Sequence, residues 1–329
     1  MSKQQGGMDL THLGDRVAVV TGAGNHGIGW GLCCHAAGEL GMHVVVIDLH
    51  ETLVRDAERR LRELYPDVQC HGLTCDVTEP EQLMSVARRI GELLPGKAIG
   101  AVFANAGVIF SRTIMKSTVQ EWETTLRVNV MGVVNTMHAF IPLLQAQESE
   151  SIFSATASVG GLVRGDNGGA SYQASKHAVV ATCEALSFEL ARKSPQVRVH
   201  VLCPCIVASA LNKTSVVNQQ VRDGETSADD LESLGSTEFR LAMTPERHAV
   251  QVFDHIHAGN FYMITDNVRP YVDHDLPFDG LAIMRERHDN MLALTLDNSD
   301  AWEHRSGRAP SSIMKGPMFG EAEPLRLDV

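Results

Sequence analysis

Tyr172-Gln-Ala-Ser-Lys176 sets a phenol and an ammonium four residues apart, at the start of a stretch, 170–194, that reads as helix. Residues at that spacing share one helical face, a turn apart. A lysine cation beside a tyrosine, joined by any positive charge on a bound cofactor, would draw the phenol pKa from about 10 towards neutrality. The phenol would then give and take a proton at working pH. Ser158 lies fourteen residues earlier, just past a short apolar run, where its hydroxyl would hydrogen-bond a carbonyl or alkoxide beside the tyrosine. Ser151 and Ser154 compete for that role but fall within the run itself.

Such residues need a frame. Apolar runs at 16–21, 43–48, 68–76, 99–105, 151–157, 197–203 and 260–265 read as buried strands. Helical stretches alternate with them at 29–40, 51–64, 80–94 after Thr78 as N-cap, 119–146, 170–194 and 245–258. This alternation predicts an α/β fold, a single doubly wound Rossmann-type domain over 13–266 with a mostly parallel seven-stranded sheet and helices on both faces. Residues 1–12 read as an N-terminal arm, polar 208–243 as a substrate lid, and 267–329 as a C-terminal extension with one more helix at 279–296. Ser158 and Asn105-Ala106-Gly107 follow strands, so both fall at the carboxyl edge of the sheet, where open α/β folds bind ligands. Asn129 sits inside the 119–146 helix, and a buried mid-helix amide needs a polar network.

Composition narrows the chemistry. A net charge of −12 argues against nucleic acid, whose binding needs clustered Lys and Arg. No apolar run approaches the roughly 20 residues of a membrane helix, and 1–15 lack a signal-peptide pattern. Seven cysteines, odd in number and mostly within apolar segments, suit reduced core thiols and a cytoplasmic location. Cys203-Pro204-Cys205 has no partner pair at zinc-site spacing, and His255 and His257 fall on different helical faces, so no metal is expected.

Thr21-Gly-Ala-Gly-Asn-His-Gly-Ile-Gly29 joins the first strand to the first helix. Glycines there let a backbone approach a pyrophosphate, and the helix N-terminus supplies N–H donors. Gly22, Gly24 and Gly27 spell a general dinucleotide fingerprint. Asp48 closes the second strand, placed to accept from ribose hydroxyls and to repel a 2′-phosphate. Its competing role is N-cap of the 51–64 helix. With no Lys or Arg in the loop or just after Asp48, NAD is expected in preference to NADP.

Taken together, Thr21-Gly22…Gly27-Ile28-Gly29, Asp76-Val77, Asn105-Ala106-Gly107, Asn129, Ser158 and Tyr172-x-x-x-Lys176 resemble the classical short-chain dehydrogenase/reductases over roughly 13–266. The resemblance implies hydride transfer between NAD and a secondary alcohol or ketone. It makes Tyr172 the general acid/base, with Lys176 on the nicotinamide ribose, Ser158 orienting the carbonyl, and Asn129 holding a water in a proton relay. It places Gly22, Asn25, His26, Gly27, Ile28, Asp48, Asp76, Val77, Asn105, Ala106, Gly107, Pro204, Ile206, Val207 and Ser209 around the cofactor. A homodimer or homotetramer built on the 119–146 and 170–194 helices is also implied.

Two departures from the family pattern stand out. Four residues rather than three separate Gly22 from Gly27, which makes Gly24 an accommodating tip residue. The usual glycine after Pro204 is Cys205, expected to tighten the nicotinamide pocket. Val108, Ile109 and Phe110, with Val159, Leu162, Val163 and Cys205, suggest a partly apolar substrate pocket for an aryl, steroid-like or polyketide-like substrate. Arg164, Asp166 and Asn167 read as a solvated loop, with polar contacts at the pocket rim as the alternative. The alternatives are a dehydratase or epimerase on the same scaffold, or a non-catalytic NAD-binding regulatory protein.

Overall fold

The computed structural model describes residues 7–162, 169–211, 215 and 242–265. The C-terminal extension, its 279–296 helix, most of the 208–243 lid, Val163 and the 164–167 loop lie outside the described residues.

Five strands begin or continue the alternation read from the apolar runs: β1 (Val17–Thr21), β2 (His43–Asp48), β3 (Cys70–Thr74), β4 (Ile99–Ala104) and β5 (Ser151–Thr156). β6 (Val197–Cys203) and β7 (Tyr262–Ile264) complete one parallel sheet of order β3-β2-β1-β4-β5-β6-β7. The order reverses direction between β1 and β4, which opens a crevice beyond their carboxyl ends.

Every residue of β1 is buried, which is why the strand reads as a continuous apolar run. Val17 and Val19 join one core while Ala18 and Val20 join the other, since successive side chains point to opposite faces. The first core is closed by α3 (Pro80–Leu93), α5 (Gly132–Gln145) and α6 (Ala170–Lys193). The second is closed by α1 (Ile28–Gly38), α2 (Glu51–Leu64) and α7 (Pro245–His257). Phe103 on β4 lies in the second core at 1% exposure, and cutting it to alanine would cost about 3–5 kcal/mol. Met8, in the expected N-terminal arm, also packs there, with its N–H donating to His257 O at 2.9 Å.

Two local features differ from expectation. Thr78 is not the cap of α3: Glu79 holds that position without a side-chain bond, and Pro80 fills the first helical site, needing no N–H partner. The 119–146 stretch is not one uniform helix. α4 (Val119–Leu126), started by a Thr118–Glu121 capping box, runs into a π-helical turn, Arg127–Met131, before α5. Gly132 N–H donates to Arg127 O, five residues back.

All seven cysteines are free, and six are buried. Among the described residues no helix is long and apolar enough to cross a membrane, and no three His, Cys, Asp or Glu side chains cluster to hold a metal.

Candidate active site

β1, β4 and β5 end together, and Asn105 binds the three ends. Its Nδ2 donates to Thr21 O at 3.0 Å and Gly22 O at 3.2 Å, while Oδ1 accepts from Thr156 Oγ1 at 3.1 Å. Thr21 Oγ1 in turn accepts the N–H groups of Asn105 and Ala106. Above this knot the β1–α1 loop is pressed flat. Gly22 has φ +66° and an added Cβ would stand 2.6 Å from Ala106 Cα; one on Gly29 would stand 2.7 Å from Gly22 O.

Gly24 is not an idle tip residue. Its N–H donates to Asp48 Oδ2 at 2.8 Å, and an added Cβ would stand 2.9 Å from Asp48 Cβ. Leu49 N–H reaches Oδ1 at 2.8 Å. Burial raises the Asp48 carboxyl above its ordinary range, and those backbone donors oppose the rise. Asp48 does not cap α2 either: that position is His50.

The catalytic candidates meet at the other end of the crevice. The 3₁₀ turn Val159–Gly161 follows Ser158, whose hydroxyl accepts Gly160 N–H at 3.1 Å and hydrogen-bonds the Tyr172 phenol. Lys176 Nζ stands 5.5 Å from the centre of the Tyr172 ring and donates to Thr156 O at 2.6 Å. Lys176 is 3% exposed, and that burial pulls its ammonium down to about 8. The same burial pushes the Tyr172 phenol up, with the Ser158 hydrogen bond opposing. Burial thus moves the phenol in the direction opposite to that expected from the Tyr172–Lys176 spacing.

Asn129 lies within the π-helical turn at 0% exposure. Its Oδ1 accepts Val108 N–H at 2.8 Å, and Nδ2 donates to Val108 O at 3.0 Å and Ser175 Oγ at 2.9 Å. Ser175 Oγ donates to Tyr172 O at 2.6 Å, so one amide links the end of β4 to the turn of α6 that carries the tyrosine. An added Cβ on Gly107 would stand 3.2 Å from Asn129 Oδ1 and 3.5 Å from Lys176 Nζ, so those groups converge on one point.

A single cleft of about 1150 Å³, counting the water at its mouth, connects the two ends. Gly22, Asn25, His26, Gly27 and Ile28 wall it at the loop; Asp48, Asp76 and Val77 wall it beside β2 and β3. Asn105, Ala106, Gly107, Tyr172, Lys176, Pro204 and Ser209 complete the residues that sequence reading placed there. Ile206 and Val207 do not reach it. Val207 forms a parallel bridge to Met243, with Met243 N–H donating to Ile206 O at 3.0 Å, so the polar excursion between them is pinched at its base.

Ile109, Val159, Leu162 and Cys205 do not wall the cleft. Leu162 packs against the first core, and Ile109 N–H donates to Ser215 Oγ at 2.9 Å. Cys205 is half-buried, and burial raises its thiol. Val108, read from the sequence as a pocket residue, does line it, and sequence reading missed Leu49, Leu53, Cys75, Val128, Thr156, Ala157, Ala210 and Leu211, which line it too. Most flank a motif residue, so strand ends were the available signal.

The short chain dehydrogenase family model matches residues 16–220, more than half of the chain. This chain belongs to the short-chain dehydrogenase/reductase family. This chain is 32% identical to the 1-deoxy-11-beta-hydroxypentalenate dehydrogenase of Streptomyces avermitilis over 242 residues, 70% of this chain and 85% of that one. It is 29% identical to a CLA biosynthesis dehydrogenase/reductase of Lactiplantibacillus plantarum over 200 residues, 61% of this chain and 68% of the relative. A short-chain dehydrogenase/reductase from Burkholderia phymatum, solved in complex with NAD, superposes with a TM-score of 0.65 at 26% identity, covering 86% of this chain and 96% of that one. The family is one of oxidoreductases with nicotinamide cofactors, and this chain shares its Rossmann-type fold.

Proposed function

We propose that the protein transfers a hydride between NAD(H) and a secondary alcohol or ketone. The observation that carries this reading is one continuous cleft walled by Asp48 at one end and by Tyr172 and Lys176 at the other, with Ser158 hydrogen-bonded to the Tyr172 phenol from behind the wall. The residues fit such a dinucleotide. Gly22 and Gly29 let the loop pack directly against Ala106 and Asn105 at the mouth of the crevice, and Asn25 Nδ2 is a buried donor without a partner among the described residues. When bound, the nicotinamide supplies the hydride acceptor or donor. Gly22 to Ile28 would hold the diphosphate, Asp48 the adenosine ribose, Asp76 and Val77 the adenine, and Lys176 the nicotinamide ribose.

Tyr172 gives or takes the substrate proton at its phenolic oxygen, beside a Ser158 hydroxyl that orients the substrate oxygen. Lys176 keeps a positive charge next to the phenol and steadies its anionic form. Asn129 positions this set through Ser175 and the backbone of Val108, rather than by touching substrate.

NAD over NADP follows from Asp48, whose charge opposes a ribose 2′-phosphate. A medium-sized, partly apolar substrate agrees with relatives named as a hydroxypentalenate dehydrogenase and an estradiol 17-beta-dehydrogenase. Self-association on the 119–146 and 170–194 helices is part of the same reading, supported by Met115 just before α4 and Val119 at its start, 90% and 74% exposed. The test is absorbance at 340 nm across a panel of alcohols with NAD and ketones with NADH. Turnover with ring-bearing secondary alcohols is expected, and silence across the whole panel sinks the reading.

A further inference from the structure

His26 is the last of the four residues between Gly22 and Gly27, and it is tied to a separate element. Arg60 Nη1, from the third turn of α2, lies 3.0 Å from His26 Nε2. The same guanidinium sits 4.0 Å from the centre of the Trp30 ring, and the His26 and Trp30 rings are 5.8 Å apart. Trp30 is 3% exposed and belongs to the second core, so the platform under the arginine is fixed.

An arginine carries only donors, so His26 Nε2 must accept, and the neutral ring then bears its proton on Nδ1. Burial first, then the charge of Arg60, holds His26 below the ordinary imidazole range; Asp56 on α2 and Glu246 on α7 pull the other way. Asp56 is the guanidinium's carboxylate partner, at a looser 3.6 Å. His26 and its neighbour Asn25, with its buried unpartnered Nδ2, both wall the cleft. No other Arg or Lys is joined to this loop by a hydrogen bond or ion pair among the described residues.

We propose that His26, backed by Arg60 on its Trp30 platform, forms a recognition arm for the diphosphate of the dinucleotide. The proposal rests on the cofactor reading above and adds to it a loop residue and a helix residue. His26 offers Nδ1–H to phosphate oxygen without needing to be protonated. Arg60 is a positioning residue: it selects the tautomer and adds positive charge behind the ring. The extra loop residue brings the imidazole within reach of α2.

Calorimetric titrations of the full chain with NADH, NADPH, ADP and adenosine test this, comparing wild type with Arg60→Met, Arg60→Lys and His26→Phe. His26 is exposed, so its variant probes the arm without disturbing the core. Arg60→Met and His26→Phe are expected to weaken NADH and ADP 5- to 20-fold while adenosine stays within twofold. Arg60→Lys should recover most of the loss. Equal weakening of adenosine, or unchanged ADP, overturns the arm and leaves Arg60 a packing residue. A loss confined to NADPH assigns the arm to the ribose 2′-phosphate and overturns the diphosphate assignment. A wild-type chain that takes up neither dinucleotide overturns the cofactor reading and this one with it.

Discussion

The carbonyl oxygen of Pro245 lies 2.2 Å from the point where a Cβ on Gly31 would stand. The first turns of α1 and α7 therefore touch backbone to backbone. In an isolated helix Gly→Ala would stabilise by about 1 kcal/mol. Here Gly31→Ala must push the helices apart, and a net loss of roughly 2 kcal/mol is expected. Dinucleotide affinity should fall as well, because α1 carries the glycine loop. Thermal unfolding measures the first effect, and a variant as stable as wild type would show that the two helices slide freely.

Tyr172→Phe removes one oxygen and keeps the ring. Turnover is expected to fall by about three orders of magnitude or more, with the NADH dissociation constant within twofold. Single-turnover measurement at 340 nm decides it; retained turnover would remove the phenol from the mechanism.

Lys176 separates stability from activity. Its ammonium is pulled down to about 8 in the fold, from 10.5, so the unfolded chain binds the proton more tightly. The fold bears that burden below pH 8 and is relieved as pH rises from about 8 to 10.5. Lys176→Met is thus expected to stabilise the ligand-free protein by roughly 1–3 kcal/mol at pH 7 while abolishing turnover. Denaturant titration of the two proteins at pH 7 and pH 10 should show the difference shrinking at the higher pH.

His200 and His248, at 1% and 0% exposure, are both driven down to about 4 by burial. Neither ring nitrogen of His248 has a hydrogen-bond partner among the described residues. A base with a lowered folded pKa favours the fold above its unfolded value of 6.5, and that benefit drains away as pH falls towards 4. The loss should reach roughly 2 kcal/mol per histidine at pH 5. His248→Leu is expected to make the fall in stability between pH 6.5 and pH 5 smaller by roughly 2 kcal/mol; an unchanged fall would clear His248 of the effect.

The parts of this molecule that could be read in the chain are those written in neighbouring residues. β1 shows as Val17–Thr21 because both faces are covered, and Tyr172 and Lys176 show because a helix puts residues four apart on one side. What could not be read depends on distant packing. Nothing near residue 24 announces that Gly24 N–H will meet Asp48, and nothing in α2 announces that Arg60 will lie on Trp30. Of the apolar residues assigned to substrate, Val108 walls the cleft and Ile109, Val159, Leu162 and Cys205 do not; apolar composition does not tell a pocket wall from the core behind it, as Leu162 illustrates.

The π-helical turn at Arg127–Met131 has a meaning for the chain's tolerance of length change. Each residue in an α-helix advances the phase by about 100°, and the wide turn takes in one more residue within nearly the same rotation, so α5 keeps the phase of a helix one residue shorter. Deleting one residue there would yield a more regular helix and a worse protein. α5 would keep Phe140 and Leu144 facing the first core, but the amide at 129 would leave Val108 and Ser175. The irregular turn acts as a phase setting, matching a helix that must pack the sheet to one that must also hold the tyrosine in place.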